Sequence, residues 1–126
     1  MKTRYAALAL CLTTLSLLSC LDSGRPDILD ISLIPMDGPP GTEVLVQIEA
    51  AKVSGRVWAI TSNFDTQEEL GRVNCKNPPG STGIFVGTWT VDTAGLNRAE
   101  YIDFEAHAQG FLQEAHGVSR TFRIIY

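Results

Sequence analysis

Apolar residues recur in short runs along most of the chain, and glycine, proline and asparagine separate the runs. Short runs of alternating polarity between turn-forming residues predict β-strands, and many of them in succession predict two packed sheets. The sequence therefore predicts an all-β domain over residues 28–126, with little helix after Pro26. Its seven predicted strands are Ile28–Ile34, Glu43–Ala50, Arg56–Thr61, Arg72–Lys76, Gly83–Val91, Tyr101–Ala108 and Val118–Tyr126.

The second and sixth runs show the clearest alternation. Apolar residues occupy every other position from Val44 to Ala50 and again from Ile102 to Ala108. Successive side chains of a strand point to opposite faces, so this pattern predicts one buried face in each strand. Between the third and fourth runs, residues 62–71 are compatible with a turn or with a helical turn. The residues predicted to be largely buried are Val44, Val46, Ile48, Trp58, Ile102, Phe104, Phe122 and Ile124.

The amino terminus follows a different pattern. Met1–Arg4 carries two positive charges, and Tyr5–Leu18 is apolar apart from two threonines and a serine. A bilayer-spanning helix needs about 20 apolar residues, so this run is short for a membrane span and has the length of a secretory signal. Residues 1–19 are therefore predicted to be a signal peptide.

The signal ends in Leu17-Leu18-Ser19-Cys20, which resembles the lipobox of bacterial lipoproteins. The resemblance implies that the Cys20 thiol receives a diacylglycerol, that the chain is cut before Cys20, and that the new amino group is acylated, for example with palmitate. Residues 20–27 would then be the lipidated cysteine and a short tether. An ordinary signal peptide, or a membrane-anchoring segment that ends by chance in a cysteine, is the alternative.

In enteric lipoproteins, an aspartate after the lipidated cysteine favours retention in the inner membrane. This chain has Leu21 at that position. The resemblance therefore implies a lipid-anchored protein of the cell envelope at the outer membrane, with its periplasmic or surface face left open.

The segment Pro35–Ile48 resembles the opening of immunoglobulin-like domains of the IPT/TIG type, which start with a proline-ended strand, a glycine-containing turn, then Gly-Thr and an alternating strand. Seven strands in about 100 residues are also typical of an immunoglobulin-like sandwich. Trp58, in the third predicted strand, occupies the region where many such folds place a core tryptophan.

Composition limits the classes of function. With 126 residues, 44% hydrophobic and 19% charged, the chain is long enough for one ordinary globular domain. Without residues 1–19 the net charge falls from −4 to −6. This balance argues against nucleic acid or an anionic membrane surface as the partner, since both attract clustered lysine and arginine.

Two short triplets bring carboxylates and imidazoles together. Glu105 and His107 alternate in the sixth strand, and Glu114 and His116 follow with the same spacing. A two-residue turn at Gly110-Phe111 would place Glu105 opposite His116 and His107 opposite Glu114. Such a patch could bind a divalent metal, or it could be a solvated charge ladder whose cross-strand pairs contribute about 0.2 to 1 kcal/mol each.

The same two-residue turn creates a conflict further along the hairpin. Continued unchanged, its register would bury Ser119, Thr121 and Arg123 and expose Phe122 and Ile124, which is energetically unreasonable. The sequence therefore predicts either a β-bulge near Gly117-Val118 or a longer loop around Gly110 to Gln113, of about three or five residues, that resets the register.

The sequence also makes predictions for four single residues outside this patch. Cys75 shares the apolar alternation of Val73, which favours a buried, inert thiol over an exposed one that pairs with another chain. Phe111, Leu112 and Phe64 are apolar at predicted loop tips, where they could form a contact surface or fold back onto the domain.

The sequence contains no phosphate-binding glycine loop, HExxH pair or Gly-x-Ser-x-Gly elbow. It therefore predicts a non-enzymatic, membrane-anchored binding or structural module without a cofactor, held by lipid on Cys20, with an unknown protein or glycan partner and no nucleic acid. The alternatives are a lipid-anchored inhibitor or accessory subunit of an envelope enzyme and, more distantly, a metal-dependent hydrolase.

Overall fold

A computed structural model describes residues 24–92 and 99–126 of the chain. This part is all-β and contains no helix, as the sequence predicts. Its eight strands are β1 (Asp27–Ile34), β2 (Asp37–Gly38), β3 (Glu43–Ala51), β4 (Val57–Asn63), β5 (Glu69–Cys75), β6 (Ile84–Thr90), β7 (Tyr101–Gln109) and β8 (Glu114–Ile124).

The strands form two sheets. One sheet has three strands in the order β1-β3-β6, and the other has five in the order β2-β8-β7-β4-β5. All neighbours are antiparallel except β2 and β8, which are parallel. The chain therefore leaves the first sheet after Ile34 and enters the second sheet at Asp37.

The inner faces of the two sheets share one hydrophobic cluster. Because polarity alternates along β3 and β7, each strand turns one set of apolar side chains inward and its polar set outward. All eight residues predicted to be largely buried are buried, and Phe104 and Phe122 are the largest side chains with no exposed surface.

The position of Trp58 differs from the expectation of a core tryptophan. Its side chain is buried, but on β4 the side chains of Val57 and Ala59 join the inter-sheet cluster and that of Trp58 does not. Strand alternation therefore places Trp58 on the outer face. Trp89 of β6 contacts the core instead, with its ring edge-on to Phe104 and Phe122 at centroid distances of 5.1 and 6.0 Å.

Several boundaries differ from the predictions. β2 was not predicted, because a strand of two residues shows no alternation of polarity. β5 begins at Glu69 and not at Arg72, and β8 begins at Glu114 and not at Val118. The ambiguous stretch after β4 is a turn, in which Gln67 N–H donates to the Asn63 carbonyl over 2.8 Å.

The predicted signal peptide 1–19 and Cys20 lie outside the described residues. Of the predicted tether, Pro26 is fully buried and Asp27 is already the first residue of β1. The packed part of the domain therefore starts slightly earlier than residue 28.

The turn before β3 shows how local sequence fixes local geometry. Thr42 N–H donates to the Pro39 carbonyl over 3.1 Å, and Gly41 has a φ of 90°. A type II turn requires positive φ at its third position, which glycine supplies, and favours proline at its second position, because proline fixes φ near the value needed there. Pro40 and Gly41 meet these requirements.

The hairpin of β7 and β8 has a four-residue loop, residues 110–113, in place of the predicted two-residue turn. His107 therefore lies opposite His116 and Gln109 opposite Glu114, so the predicted pairs of Glu105 with His116 and His107 with Glu114 are wrong. A loop that is longer by two residues moves the register by two, and this keeps the same side chains on each face.

The predicted β-bulge is confirmed. His107 pairs with His116 and Glu105 pairs with Ser119, so Gly117 and Val118 together stand opposite one residue of β7. Gly117 has a φ of 128°, which glycine adopts without steric cost. Beyond the bulge, Phe122 and Ile124 point into the core.

Arg120 follows the bulge on the same side of β8 as Phe122 and links the two sheets. Its Nε donates to the carbonyl oxygen of Ile31 over 3.0 Å, and its Nη2 lies 3.1 Å from a carboxylate oxygen of Asp30. The charged group of Arg120 is therefore held at the edge where β8 approaches β1.

We expect Gly117→Ala to destabilise the domain by about 1 to 3 kcal/mol, because a Cβ atom disfavours the positive φ of the bulge. Gly83→Ala is the matched control, since its backbone is not in the positive-φ region and the nearest atom to an added Cβ is 3.7 Å away. Urea unfolding measures both. A Gly117→Ala variant as stable as the Gly83→Ala variant would contradict the role assigned to the bulge.

Candidate functional site

Three rings stack across the outer face of the five-stranded sheet. Trp58 of β4 lies opposite His107 of β7, which lies opposite His116 of β8. Each neighbouring pair has its ring centroids 5.3 Å apart, and the planes are inclined by 16° and 21°. We call these three residues the ring ladder. It exists because directly opposed residues on one face of a sheet are close enough for side-chain contact.

Two of the three rings, those of Trp58 and His107, are buried although they lie on the outer face of the sheet. Trp58 and His107 are each only 7% exposed. The guanidinium carbon of Arg72 lies 5.7 Å from the centroid of the Trp58 ring, within cation–π range. Arg72 on one side and the His116 ring on the other thus help to shield the rings of Trp58 and His107 from solvent.

Two carboxylates contact His107. Its Nε2 lies 2.7 Å from Glu105 Oε1 and its Nδ1 lies 3.3 Å from Glu114 Oε1, while His116 Nδ1 is 3.9 Å from Glu105 Oε1. The four residues predicted to form a patch do come together. Each glutamate contacts a histidine of its own strand or one placed diagonally on the neighbouring strand. No glutamate lies directly opposite a histidine, because the hairpin loop is two residues longer than predicted.

The geometry of the patch does not favour a metal ion. Imidazole lone pairs lie in the ring plane, and the stacked, nearly parallel rings of His107 and His116 do not direct them at a common point. Within residues 24–92 and 99–126, no group of three or more histidine, cysteine or acidic side chains is arranged to hold a metal.

A shallow cleft of about 220 Å³ lies beside the ring ladder. Trp58 is one of its lining residues, and the indole Nε1 of Trp58 is a buried donor with no hydrogen-bond partner within the described chain. Because an unpaired buried donor costs about 1 to 3 kcal/mol, an acceptor that reached it would bind favourably. The cleft is lined by Arg56, Trp58, Ile60, Arg72, Asn74, His107, Gln109 and Glu114.

A second cleft of about 600 Å³ adjoins the first and shares Arg56 and Asn74 with it. Its other lining residues include Cys75, Lys76 and Phe85. The two clefts therefore meet at Arg56 and Asn74, and the larger one is lined by both polar and apolar side chains.

Two ionisable groups near this surface have shifted pKa values. Burial raises the pKa of the Cys75 thiol to about 12, so the thiol is protonated at neutral pH and is not an activated nucleophile. The prediction of a buried Cys75 is confirmed. Burial, followed by the nearby Glu105 carboxylate, raises the pKa of the Asp103 carboxyl.

Sequence reasoning identified the histidines and glutamates of the patch but not their neighbours. Arg56 lies just before β4, and Arg72 and Asn74 lie in β5. No local pattern relates these residues to β7. The only available signal was the outward alternation of Arg72 and Asn74 along β5.

No protein-family model, curated protein or solved structure matches the chain. In the part of the chain that the structure describes, no helix is long and apolar enough to cross a membrane. We therefore infer the function from the side chains of this surface and from the amino-terminal sequence.

We expect a double-mutant cycle of Trp58→Ala and His107→Ala to give a coupling free energy of about 0.5 to 1.5 kcal/mol, the usual contribution of a stacked ring pair. The control cycle pairs Trp58→Ala with His116→Ala, whose rings do not stack on each other, and should give a smaller coupling. Equal coupling free energies in the two cycles, measured by urea unfolding, would show that direct stacking is not the cause.

Proposed function

We propose that the chain is a lipid-anchored envelope lipoprotein whose domain is a non-enzymatic binding module. The support for the anchor is the sequence Leu17-Leu18-Ser19-Cys20 at the end of a short apolar segment. Two or more acyl chains on Cys20 would suffice for stable attachment, because each buried methylene contributes about 0.8 kcal/mol. Leu21 favours the outer membrane as the destination in a host that has one.

We assign the domain to the immunoglobulin-like β-sandwiches. The support is the strand order, in which β1, β3 and β6 face a sheet built around β4, β7 and β8. In an immunoglobulin-like domain these would correspond to strands A, B and E against C, F and G. The parallel pairing of β2 with β8 and the turn at residues 39–42 agree with the resemblance to the IPT/TIG type.

The ring ladder and the clefts beside it are the proposed binding surface. The observation that carries this assignment is the buried, unpaired indole donor of Trp58, a residue that lines a cleft together with arginine, asparagine and glutamine. Sites for free small molecules usually enclose about 300 to 1,000 Å³. The cleft beside the ring ladder is smaller, so we assign it to one side chain or one sugar unit of a larger protein or glycan partner, and the adjoining cleft of about 600 Å³ to a further part of the same partner.

The chemistry of this surface favours binding over catalysis. His107 is held between two carboxylates and two rings, and the Cys75 thiol is buried and protonated. These groups can orient a polar ligand by hydrogen bonds and ion pairs. We therefore propose neither a cofactor nor a covalent step for it.

The anchor is tested by Cys20→Ala in the native host. We expect mass spectrometry to find acyl chains on Cys20 of the wild-type protein and fractionation to move the variant out of the membrane pool. Cys11→Ala is the control, because Cys11 belongs to the segment that is removed and its loss should leave the lipid unchanged. A wild-type protein without lipid at Cys20 would refute the lipoprotein assignment.

The binding surface is tested by photo-crosslinking in the native host. A photoreactive amino acid at Asn74, an exposed residue of the cleft, should yield a specific crosslinked species. The same amino acid at Thr88, exposed on the outer face of the other sheet, should not. Arg72→Glu should reduce the Asn74 product several-fold. The same products from both positions, unaffected by Arg72→Glu, would exclude this surface as the binding site.

A further inference from the structure

The charges of the domain are divided between its two ends. We define the proximal end as residues 24–27, 52–56, 76–83 and 110–113, which include the amino-terminal start of the domain. These segments contain four basic residues, all exposed, and one acidic residue, which forms an ion pair of 3.4 Å with Lys52. The basic residues are Arg25, Lys52, Arg56 and Lys76, and the acidic residue is Asp27.

Strand pairing and hydrogen bonds bring these segments together. Asp27 pairs with Ala51 in one sheet, and Val57 pairs with both Cys75 and Ala108 in the other, so the connections beyond them emerge on the same side. The carbonyl of Gln109 accepts hydrogen bonds from Ser54 and Gly55 N–H over 3.0 and 3.1 Å. The proximal end is therefore one surface.

The opposite end is acidic. Its connecting segments are residues 35–42, 64–68, 91–100 and 125–126. Among their described residues are five acids and no lysine or arginine, and the sequence adds Arg98 outside the described part. The acids are Asp37, Asp65, Glu68, Asp92 and Glu100. The net negative charge of the domain thus conceals a basic end.

Two apolar side chains project from the proximal end. Phe111 and Leu112, at the tip of the β7–β8 loop, are 68% and 73% exposed, more than any other large apolar residue of the described chain. The loop is closed by a 2.7 Å hydrogen bond from Gly110 N–H to the Gln113 carbonyl. The sequence left open whether these residues fold back onto the domain, and the structure places them in solvent.

The base of this loop lies against the first described residues of the domain. A Cβ atom on Gly110 would collide with the Gly24 carbonyl oxygen and lie 2.6 Å from Cδ of Pro26. Cys20 precedes Gly24 by four residues. A chain of four residues spans at most about 14 Å, so the site of the proposed lipid is confined to the neighbourhood of the loop.

We infer that the proximal end rests on an anionic bilayer, with Phe111 and Leu112 inserted among the lipids and the four basic side chains at the phosphate groups. The inference rests on the proposed lipid at Cys20, which brings this end to the membrane. Apolar residues within a basic surface match the interfacial region of an anionic membrane, which attracts lysine and arginine. The acidic end then points away from the membrane.

Charge also decides between the two ends. The opposite end has exposed apolar residues of its own, such as Met36 and Phe64, but its described connecting segments carry five acids, of which Glu100 forms an ion pair of 3.4 Å with Arg123 of β8. An anionic bilayer repels that end and attracts the proximal one. The domain therefore has one preferred orientation.

The orientation is tested with the lipidated protein in vesicles of phosphatidylethanolamine and phosphatidylglycerol that contain a spin-labelled quencher lipid. A fluorophore is attached to Ser54→Cys at the proximal end or to Asp65→Cys at the opposite end, since the native Cys75 is buried. We expect the Ser54→Cys probe to be quenched several-fold more strongly. In vesicles of phosphatidylcholine the difference should shrink.

Two further variants identify the groups responsible, each read with the Ser54→Cys probe. Phe111→Ser with Leu112→Ser, and separately Arg25→Glu with Arg56→Glu, should lower the quenching toward that of the Asp65→Cys probe. Phe64→Ser, an exposed apolar residue of the opposite end, is the matched control and should leave it unchanged. Thermal unfolding should be unchanged in the first two, because their substituted side chains are exposed, whereas Phe64→Ser loses the edge-on contact of the Phe64 ring with Tyr101 and should be slightly less stable.

Mass spectrometry of the same samples separates the possible failures. If Cys20 carries lipid and the two probes are quenched equally, or the substitutions have no effect, the inferred orientation is wrong and the proposed function stands. If the Phe111 and Leu112 substitutions abolish a protein crosslink without changing the quenching, the surface binds a protein and the inference fails. A mature protein without lipid overturns the proposed function and the orientation together.

Discussion

The β-bulge at Gly117 and Val118 is the constraint on which the rest of the domain depends. Strand β8 must present Glu114 and His116 to the outer face and, a few residues later, Phe122 and Ile124 to the core, and a regular strand cannot do both. One extra residue reverses the faces at the cost of one irregular position. Glycine keeps this cost low because it adopts positive φ freely.

The two halves of β8 therefore turn different sets of side chains toward the core and toward the outer face. After the bulge, Phe122 and Ile124 complete the cluster between the sheets, and Arg120 ties the sheets together through Asp30 and the backbone of Ile31. Before the bulge, His116 extends the ring ladder. The same strand pairing produces the stacked rings on the outer face and the packed side chains of the core, because directly opposed residues on neighbouring strands contact each other.

The surface of the domain is polarised along the strands. The ring ladder and the smaller cleft lie on the outer face of β4, β5, β7 and β8, and the larger cleft opens at the basic proximal end. In the proposed arrangement the proximal end meets the membrane, and the sheet face with the ring ladder remains accessible to a partner. Arg56 and Lys76 then lie at the boundary between the membrane contact and the binding surface, because a tether of a few residues holds the domain close to the bilayer.

The sequence by itself determined the all-β class, most strand positions, the buried faces and the need for a register shift between β7 and β8, because alternation and burial leave few acceptable registers. The tertiary structure decided that this shift is a β-bulge. The lipid anchor was also read from local sequence, and it stays a prediction. Only the tertiary structure decided the loop length of the β7–β8 hairpin, the outward position of Trp58, and the approach of Arg72 and Arg56 to His107. Net charge likewise concealed the basic end, which appears only when four separate segments meet. These features depend on which strands become neighbours, and hydrophobic periodicity within a strand carries no information about its neighbours.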